Sequence, residues 1–258
     1  MLSCPRWLAL ATTALLAACS TLPPAAEAPA LDGTAWVLAA LPGRALVPDV
    51  DVTLAFGDGA ASGTDGCNRF SAPYTSGSSR LDISPKGAST MMACPPRVME
   101  QASAYLASLA RAANWRVAAG QLELLSPDGI LLASFAPQAT QLAGTRWRVT
   151  AVNNGRQAVV GVVTGSTLTM AFGADGRVTG SAGCNSYTAA WSQQGDRLSL
   201  GPPAATRLPC AEVAVMEQEQ LFLRALGTVA IARQEASRLE LSTAGGAMAV
   251  TLVREASP

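Results

Sequence analysis

Thiols and carboxylates are the reactive side chains of this sequence. It carries six cysteines and no histidine. Without an imidazole there is no Ser-His-Asp or Cys-His machinery and no His-ligated zinc or haem. Four cysteines fall in two matching settings. Cys67 sits in SGTDGCNRF and Cys94 in TMMACP; Cys184 sits in TGSAGCNSY and Cys210 in TRLPC. Such pairs suit a disulfide in an exported protein. They also suit a redox dithiol, since Cys94 and Cys210 precede helical patterns whose N-termini lower a thiol pKa. Free thiols are the third option. Zinc fits poorly, because no C-x-x-C spacing exists. Glu100 and Glu217 are the candidate carboxylates, each following a methionine. A buried carboxylate with a raised pKa can serve as acid or base. A place in the first turn or two of a helix explains them equally, through an interaction of about 0.3–1 kcal/mol with the helix dipole.

The N-terminus decides the compartment. MLSCPRWLALATTALLAACS has one arginine, Arg6, then an apolar stretch from Trp7 to Ala18. That stretch is too short for a bilayer span, which needs about 20 residues, but suits a signal peptide over 1–18. Leu16-Ala17-Ala18-Cys19 resembles the bacterial lipobox. The resemblance implies cleavage before Cys19 and acylation of its thiol by palmitate-type chains, each buried methylene contributing about 0.8 kcal/mol of anchoring. Ser20, rather than Asp, follows the cysteine. By the bacterial sorting rule this implies the outer membrane, with the body facing the periplasm. Residues 19–30 read as a Pro/Ala-rich tether. Cys4 falls in the removed segment.

An internal repeat organises the remainder. LDGTAWVL from Leu31 matches LAGTRWRV from Leu142, and VTLAFGDGAASGTDGCNRF from Val52 matches LTMAFGADGRVTGSAGCNSY from Leu168. The segments around Cys94 and Cys210 match too, as do QLELLSPDG from Gln121 and RLELSTAGG from Arg238. The order is preserved, and a period above a hundred residues means two copies of one domain, over 31–136 and 142–255.

Each copy predicts the same elements. A strand carries the tryptophan, over Thr34–Ala39 and Thr145–Ala151. A second strand ends in Ala-Phe-Gly and turns at Asp-Gly, a strong hairpin signal. A third runs into Gly-Cys-Asn, and others follow near Arg80–Ser84 and Arg197–Leu200. One helix follows each second cysteine, with Val98, Ala102, Tyr105, Leu106 and Leu109 on its apolar face in the first copy. The second copy places Val215, Phe222, Leu223 and Leu226 there, interrupted by Glu219 where the first has Ala102. Two or three strands close each copy. The fold class is α+β: two curled antiparallel sheets, each covered by one helix.

In this frame the cysteines pair as Cys67–Cys94 and Cys184–Cys210, one disulfide per domain. Gly66 and Gly183 allow a sharp turn before the cysteine. Asn68 and Asn185 bond nearby backbone or tolerate a left-handed conformation. Asp65 reads as a turn residue, because Ala182 replaces it in the second copy. Arg69 is likewise replaced by Ser186, so a binding surface at this turn would differ between the copies.

The GT-x-W opening, the G-x-x-GCN turn and the T-x-x-x-C segment before an acidic helix together resemble the META domain, the family of HslJ-type bacterial heat-shock lipoproteins. The resemblance covers nearly all of the chain after the tether. It implies a small cracked antiparallel barrel with one helix, and a role in envelope stress, antibiotic resistance, secretion or motility. The family has no established catalysis, so no active site is carried over and no cofactor is implied. The expectation is a non-enzymatic, monomeric envelope lipoprotein that binds another envelope protein. Nucleic acid is no partner, since 18 basic residues balance 18 acidic ones. The alternative is a carrier or pilot holding lipid tails or another apolar ligand in the barrel mouth, lined by Trp36, Trp115, Trp147 and Trp191. Against it stands the ordinary use of large aromatics in cores.

Overall fold

The computed structural model describes residues 30–156 and 158–255. The leader at 1–18, the lipidation residue Cys19 and the tether before Ala30 lie outside the described residues.

The first copy contains strands β1 (Thr34–Ala40), β2 (Thr53–Gly57), β3 (Ala60–Thr64), β4 (Arg69–Ser76), β5 (Leu81–Ile83) and β6 (Ala88–Ser89). Helix α1 (Pro96–Arg111) follows, then β7 (Asn114–Ala118), β8 (Gln121–Leu125) and β9 (Leu131–Pro137). The second copy repeats the plan with β10 (Thr145–Asn153), β11 (Val159–Gly161), β12 (Thr169–Phe172), β13 (Arg177–Ser181), β14 (Ser186–Gln194), β15 (Arg197–Leu200) and β16 (Ala204–Ala205). Helix α2 (Val213–Leu226) and β17 (Val229–Glu235), β18 (Arg238–Thr243) and β19 (Met248–Arg254) complete it.

All pairings are antiparallel. The first sheet runs β5-β4-β3-β2-β1-β9-β8-β7, with β6 on β4. Its ends meet at the bridge between Arg80 and Asn114 and the flanking bonds Leu81 N to Ala113 O and Trp115 N to Ser79 O, so the barrel is nearly closed. The second is closed: β15 pairs with β17 at Arg197–Ile231, and β10 pairs with both β12 and β19. The corresponding opening strands carry a register shift at the same place, between Leu38 and Ala40 and between Val149 and Ala151. Such bulges bend a strand, which helps to curl a sheet into a barrel. The α+β expectation therefore holds, with a barrel in each copy.

Alternation drives the curl. Inward residues of β1, β2, β8 and β9 (Trp36, Leu54, Phe56, Leu122, Leu124, Phe135) form one core, and their counterparts around Trp147 form the other. Helix α1 begins with proline at its first position, where no amide bond is lost. It seals the barrel with Val98, Gln101, Ala102, Tyr105 and Leu109. Leu106, expected on that face, is 36% exposed, because it lies one step around the helix from the Tyr105–Leu109 line. A glutamine occupies the buried face of both helices. Gln101 Oε1 accepts from Val47 N and Gln218 Oε1 from Val163 N, both at 2.6 Å, tying each helix to the segment that leads into the second long strand, β2 or β12.

Candidate functional site: the Gly-Cys-Asn clasp and the interdomain groove

The four cysteines form the two expected disulfides, Cys67–Cys94 and Cys184–Cys210, with sulfurs 2.06 and 2.07 Å apart. Gly66 and Gly183 precede them with φ of +98° and +112°, left-handed values that suit glycine alone. The asparagines do more than turn the chain. Asn68 Oδ1 accepts from Thr90 Oγ1 at 3.0 Å and Met92 N at 2.7 Å. Asn185 Oδ1 accepts from Thr206 Oγ1 at 2.7 Å and Leu208 N at 2.8 Å. Each amide thus clamps the T-x-x-x-C segment beside the disulfide that holds the same segment covalently. Neither asparagine is left-handed.

A carboxylate supports each turn, from a different element in each copy: a buried one in the first and a half-buried one in the second. Asp65 is 2% exposed, and its Oδ1 accepts from Cys67 N at 2.8 Å and Asn68 N at 2.6 Å. In the second copy Ala182 replaces it, and Glu219 reaches over from α2. Its Oε2 accepts from Asn185 N at 2.9 Å and its Oε1 from Asn185 Nδ2 at 3.0 Å. Glu219 stands where α1 has Ala102. The residue that interrupts the apolar face of α2 is therefore the functional replacement for Asp65.

A second exchange lies deeper. The hydroxyl of Tyr105, on α1, donates to Thr53 O at 2.9 Å. The equivalent carbonyl, Thr169 O, takes its bond from Tyr187 on β14 at 3.0 Å. Phe70 and Phe222 fill the reciprocal positions, and the rings meet edge to face in both copies, with centroids 6.0 and 5.5 Å apart. These carbonyls leave the ladder because the threonine hydroxyls replace them: Thr53 Oγ1 accepts from Thr64 N and Thr169 Oγ1 from Ser181 N, both at 3.0 Å. The arrangement requires Gly63 and Gly180 opposite. A β-carbon there would lie 2.1 Å from Thr53 O or 1.9 Å from Thr169 O. Burial raises the pKa of Tyr105 well above its ordinary value, with a further rise from the Asp65 charge. Burial alone raises that of Tyr187.

Other candidates take lesser roles. Glu100 and Glu217 are exposed, in the second turn of their helices. Cys184, Cys210 and Glu219 lie close enough together for a metal, but the sulfurs are bonded to each other and the carboxylate is engaged by Asn185. Trp36, Trp115 and Trp147 are core residues, and Trp191 packs half-buried against Phe172. All four indole N–H groups are bonded: to Thr34 Oγ1, Gly77 O, Thr145 Oγ1 and Gly173 O respectively. The GT-x-W opening is thus a local bond between threonine and indole.

A groove of about 920 Å³ lies between the copies. Trp36, Arg69 and Phe70 line one wall, Arg233 and Glu235 the other, and Gln138 the floor where the copies join. The tip of the β17–β18 hairpin crosses it. Glu235 pairs with Arg69 at 2.7 Å and accepts from Thr53 Oγ1 at 2.9 Å. Gln138 Oε1 accepts from Ala236 N at 2.7 Å, and the Asp51 carboxylate accepts from Ser237 N and Oγ. These residues escaped the sequence reading, apart from Arg69.

Comparison with known proteins agrees with this architecture. The META domain profile matches residues 29–139 and again 140–256. No curated protein gives a significant match. Among solved structures, an NMR structure of a protein from Burkholderia xenovorans is 22% identical with a TM-score of 0.39, covering 45% of this chain and 85% of its own. A crystal structure of a DUF4847 family protein from Bacteroides vulgatus is 17% identical with a TM-score of 0.30, covering 45% of this chain and 96% of its own. With two profile matches that together span the described structure, the chain belongs to the META domain family and carries two META domains in tandem.

Proposed function

We propose that this chain is a non-enzymatic lipoprotein of the cell envelope, anchored through Cys19 to the outer membrane and facing the periplasm, and that it acts by binding an envelope protein. The observation that carries the binding reading is the interdomain groove of about 920 Å³, which offers an aromatic wall beside arginine and carboxylate side chains. Clefts between domains are common binding sites. The carboxylates at the two turns support it from the other side. Asp65 holds two backbone amides, Glu219 holds the backbone and side-chain amides of Asn185, and Glu100 and Glu217 face solvent. The two disulfides suit an oxidising compartment such as the periplasm. A role in envelope stress or antibiotic resistance rests on family resemblance.

The carrier reading has less support. Trp147 is fully buried, and the barrel interiors are filled by side chains, so an acyl chain would have to displace packed residues.

Fractionation of a Gram-negative host expressing the full chain tests the anchor. The chain is expected with the outer membrane, and a Cys19→Ser variant in the soluble periplasm. A wild-type chain found soluble overturns the anchor. Solvent extraction of the purified full chain, followed by mass spectrometry, tests the mode of binding. Lipid at one equivalent per chain beyond the covalent acyl groups would replace the protein-binding reading with the carrier.

A further inference from the structure

The groove that receives the β17–β18 hairpin in the first domain has a counterpart in the second. A groove of about 570 Å³ on the second barrel is lined by the equivalents of first-barrel groove residues: Thr179 for Ser62, Gly180 for Gly63, Tyr187 for Phe70 and Thr206 for Thr90. Coverage differs. With the hairpin docked, Thr53 and Gly63 are buried; Thr169 and Gly180, at the same places, are half-exposed. One docking surface already holds a hairpin tip within the chain, beside the open interdomain groove, and its twin holds none.

The ligand for such a surface also exists twice. The β7–β8 hairpin of the first domain corresponds to β17–β18, and its tip residue Ala119 has the same φ of +50° as Ala236. Ala119 and Gly120 are exposed. Each chain therefore presents one open groove, on the second domain, and one exposed hairpin tip, on the first.

The chemistry of the free pair matches. In the filled contact the hairpin brings Glu235 and Ser237 to Arg69 and Asp51. On the free hairpin these positions are Ala118 and Gly120; on the second barrel they are Ser186, in the groove, and Thr167. Both partners have lost charge together. The Glu235 carboxylate would find no cation in the open groove, whereas the small, neutral tip of the first domain leaves no charge unpaired there.

We infer that a second copy of this chain docks its β7–β8 hairpin into the open groove of the second domain, repeating between chains the contact that joins the two domains within one. The contact is heterologous: each copy uses a different surface, so association continues head to tail rather than closing as a two-fold dimer. It lacks the Arg69–Glu235 pair and is weaker than the intrachain contact. The chain is a monomer only when dilute.

The test uses the full-length chain with Cys19→Ser, so that acyl chains contribute nothing. Sedimentation velocity should show average mass rising with concentration and passing beyond the dimer. Introducing Ala118→Glu together with Ser186→Arg recreates the missing ion pair and should tighten association roughly two- to fivefold, in line with exposed pairs; either substitution alone should not. Ala118→Cys in one chain should cross-link through a bismaleimide to Ser186→Cys in another. Constant mass over the whole concentration range, with no effect of the paired substitutions, overturns the inference. So does cross-linking of Ala118→Cys to itself or Ser186→Cys to itself, which would show a two-fold dimer. So does blockage of the groove by a different envelope protein with no association between copies.

Discussion

The Asp65–Glu219 exchange gives the sharpest prediction. Asp65→Ala removes one oxygen that accepts from two buried amides, Cys67 N and Asn68 N, at 2.8 and 2.6 Å. A buried donor left unpaired costs about 1–3 kcal/mol, and bonds to a charged acceptor lie toward the upper end. The first domain should lose about 3 kcal/mol, a large share of a typical domain stability of 5–15 kcal/mol. Ala102→Glu alone should also destabilise, since it brings a second carboxylate to the buried Asp65. The two together rebuild the arrangement of the second domain, where a helix carboxylate reaches the turn at 2.9 and 3.0 Å. The double variant should therefore be more stable than the sum of the single losses by about 2 kcal/mol or more. Hydrogen exchange of the peptide spanning residues 65–70, measured by mass spectrometry in increasing urea, reports this domain separately from its neighbour. Additivity within about 0.5 kcal/mol, the scatter expected of independent sites, would refute the reasoning.

The aromatic exchange behaves similarly: Tyr105→Phe leaves Thr53 O without its donor and should cost about 1–2 kcal/mol, and adding Phe70→Tyr should restore most of it in the same exchange experiment. Tyr105 and Tyr187 are neutral in the folded chain with raised pKa values, whereas unfolded tyrosine ionises near pH 10. Their contribution is complete below about pH 10 and is lost as pH rises toward the folded values, so urea midpoints should fall from about pH 10 upward, and less steeply in the Tyr105→Phe/Tyr187→Phe variant. Each disulfide closes a loop with a sequence separation of 27 or 26. Reduction should cost each domain about 3.5 kcal/mol in the chain-entropy treatment, read as a drop in urea midpoint with dithiothreitol, and Cys67, Cys94, Cys184 and Cys210 should label with maleimide only after reduction. Gly63→Ala sets a methyl against Thr53 O at 2.1 Å and should cost several kcal/mol by calorimetry, whereas Gly57→Ala, with open space at its β-carbon, should cost under 1 kcal/mol.

The repeat made the fold readable. Alternation, Asp-Gly turns and one helical period recur in the same order in two halves, so each half checks the other. The disulfide partners followed from compartment and recurrence. The clasp was only half visible. Asn68 and Asn185 read as turn residues, but their bonds run to Thr90 and Thr206, more than twenty positions away, and only the folded chain brings them together. The exchanges were invisible for the same reason. Asp65 against Ala182, and Ala102 against Glu219, read as two unrelated mismatches until the fold brings both positions to the backbone amide of the turn's asparagine. Gln101 and Gln218 carry no signal in the sequence for their place on the sealing face, where each accepts from a distant backbone amide. The groove contacts depend on how the domains lie against each other, which no local pattern encodes.

Two copies of one barrel on a single chain face a hazard during folding: the helix of one can settle on the barrel of the other, as tandem repeats misassemble. Here the exchanged residues make the halves mutually incompatible. Helix α2 laid on the first barrel would press Glu219 toward Asp65 and Phe222 toward Phe70, burying two like charges and leaving Thr53 O without a donor. Helix α1 laid on the second barrel would offer Ala102 where Asn185 needs a carboxylate, and would crowd two tyrosines around one carbonyl. Each helix thus carries a key cut for its own barrel. Discrimination built on unpaired groups in the wrong complex is how specific interfaces reject close relatives, and here it acts between neighbours joined by a short linker. The divergence of the two copies, at these positions, protects the folding of both.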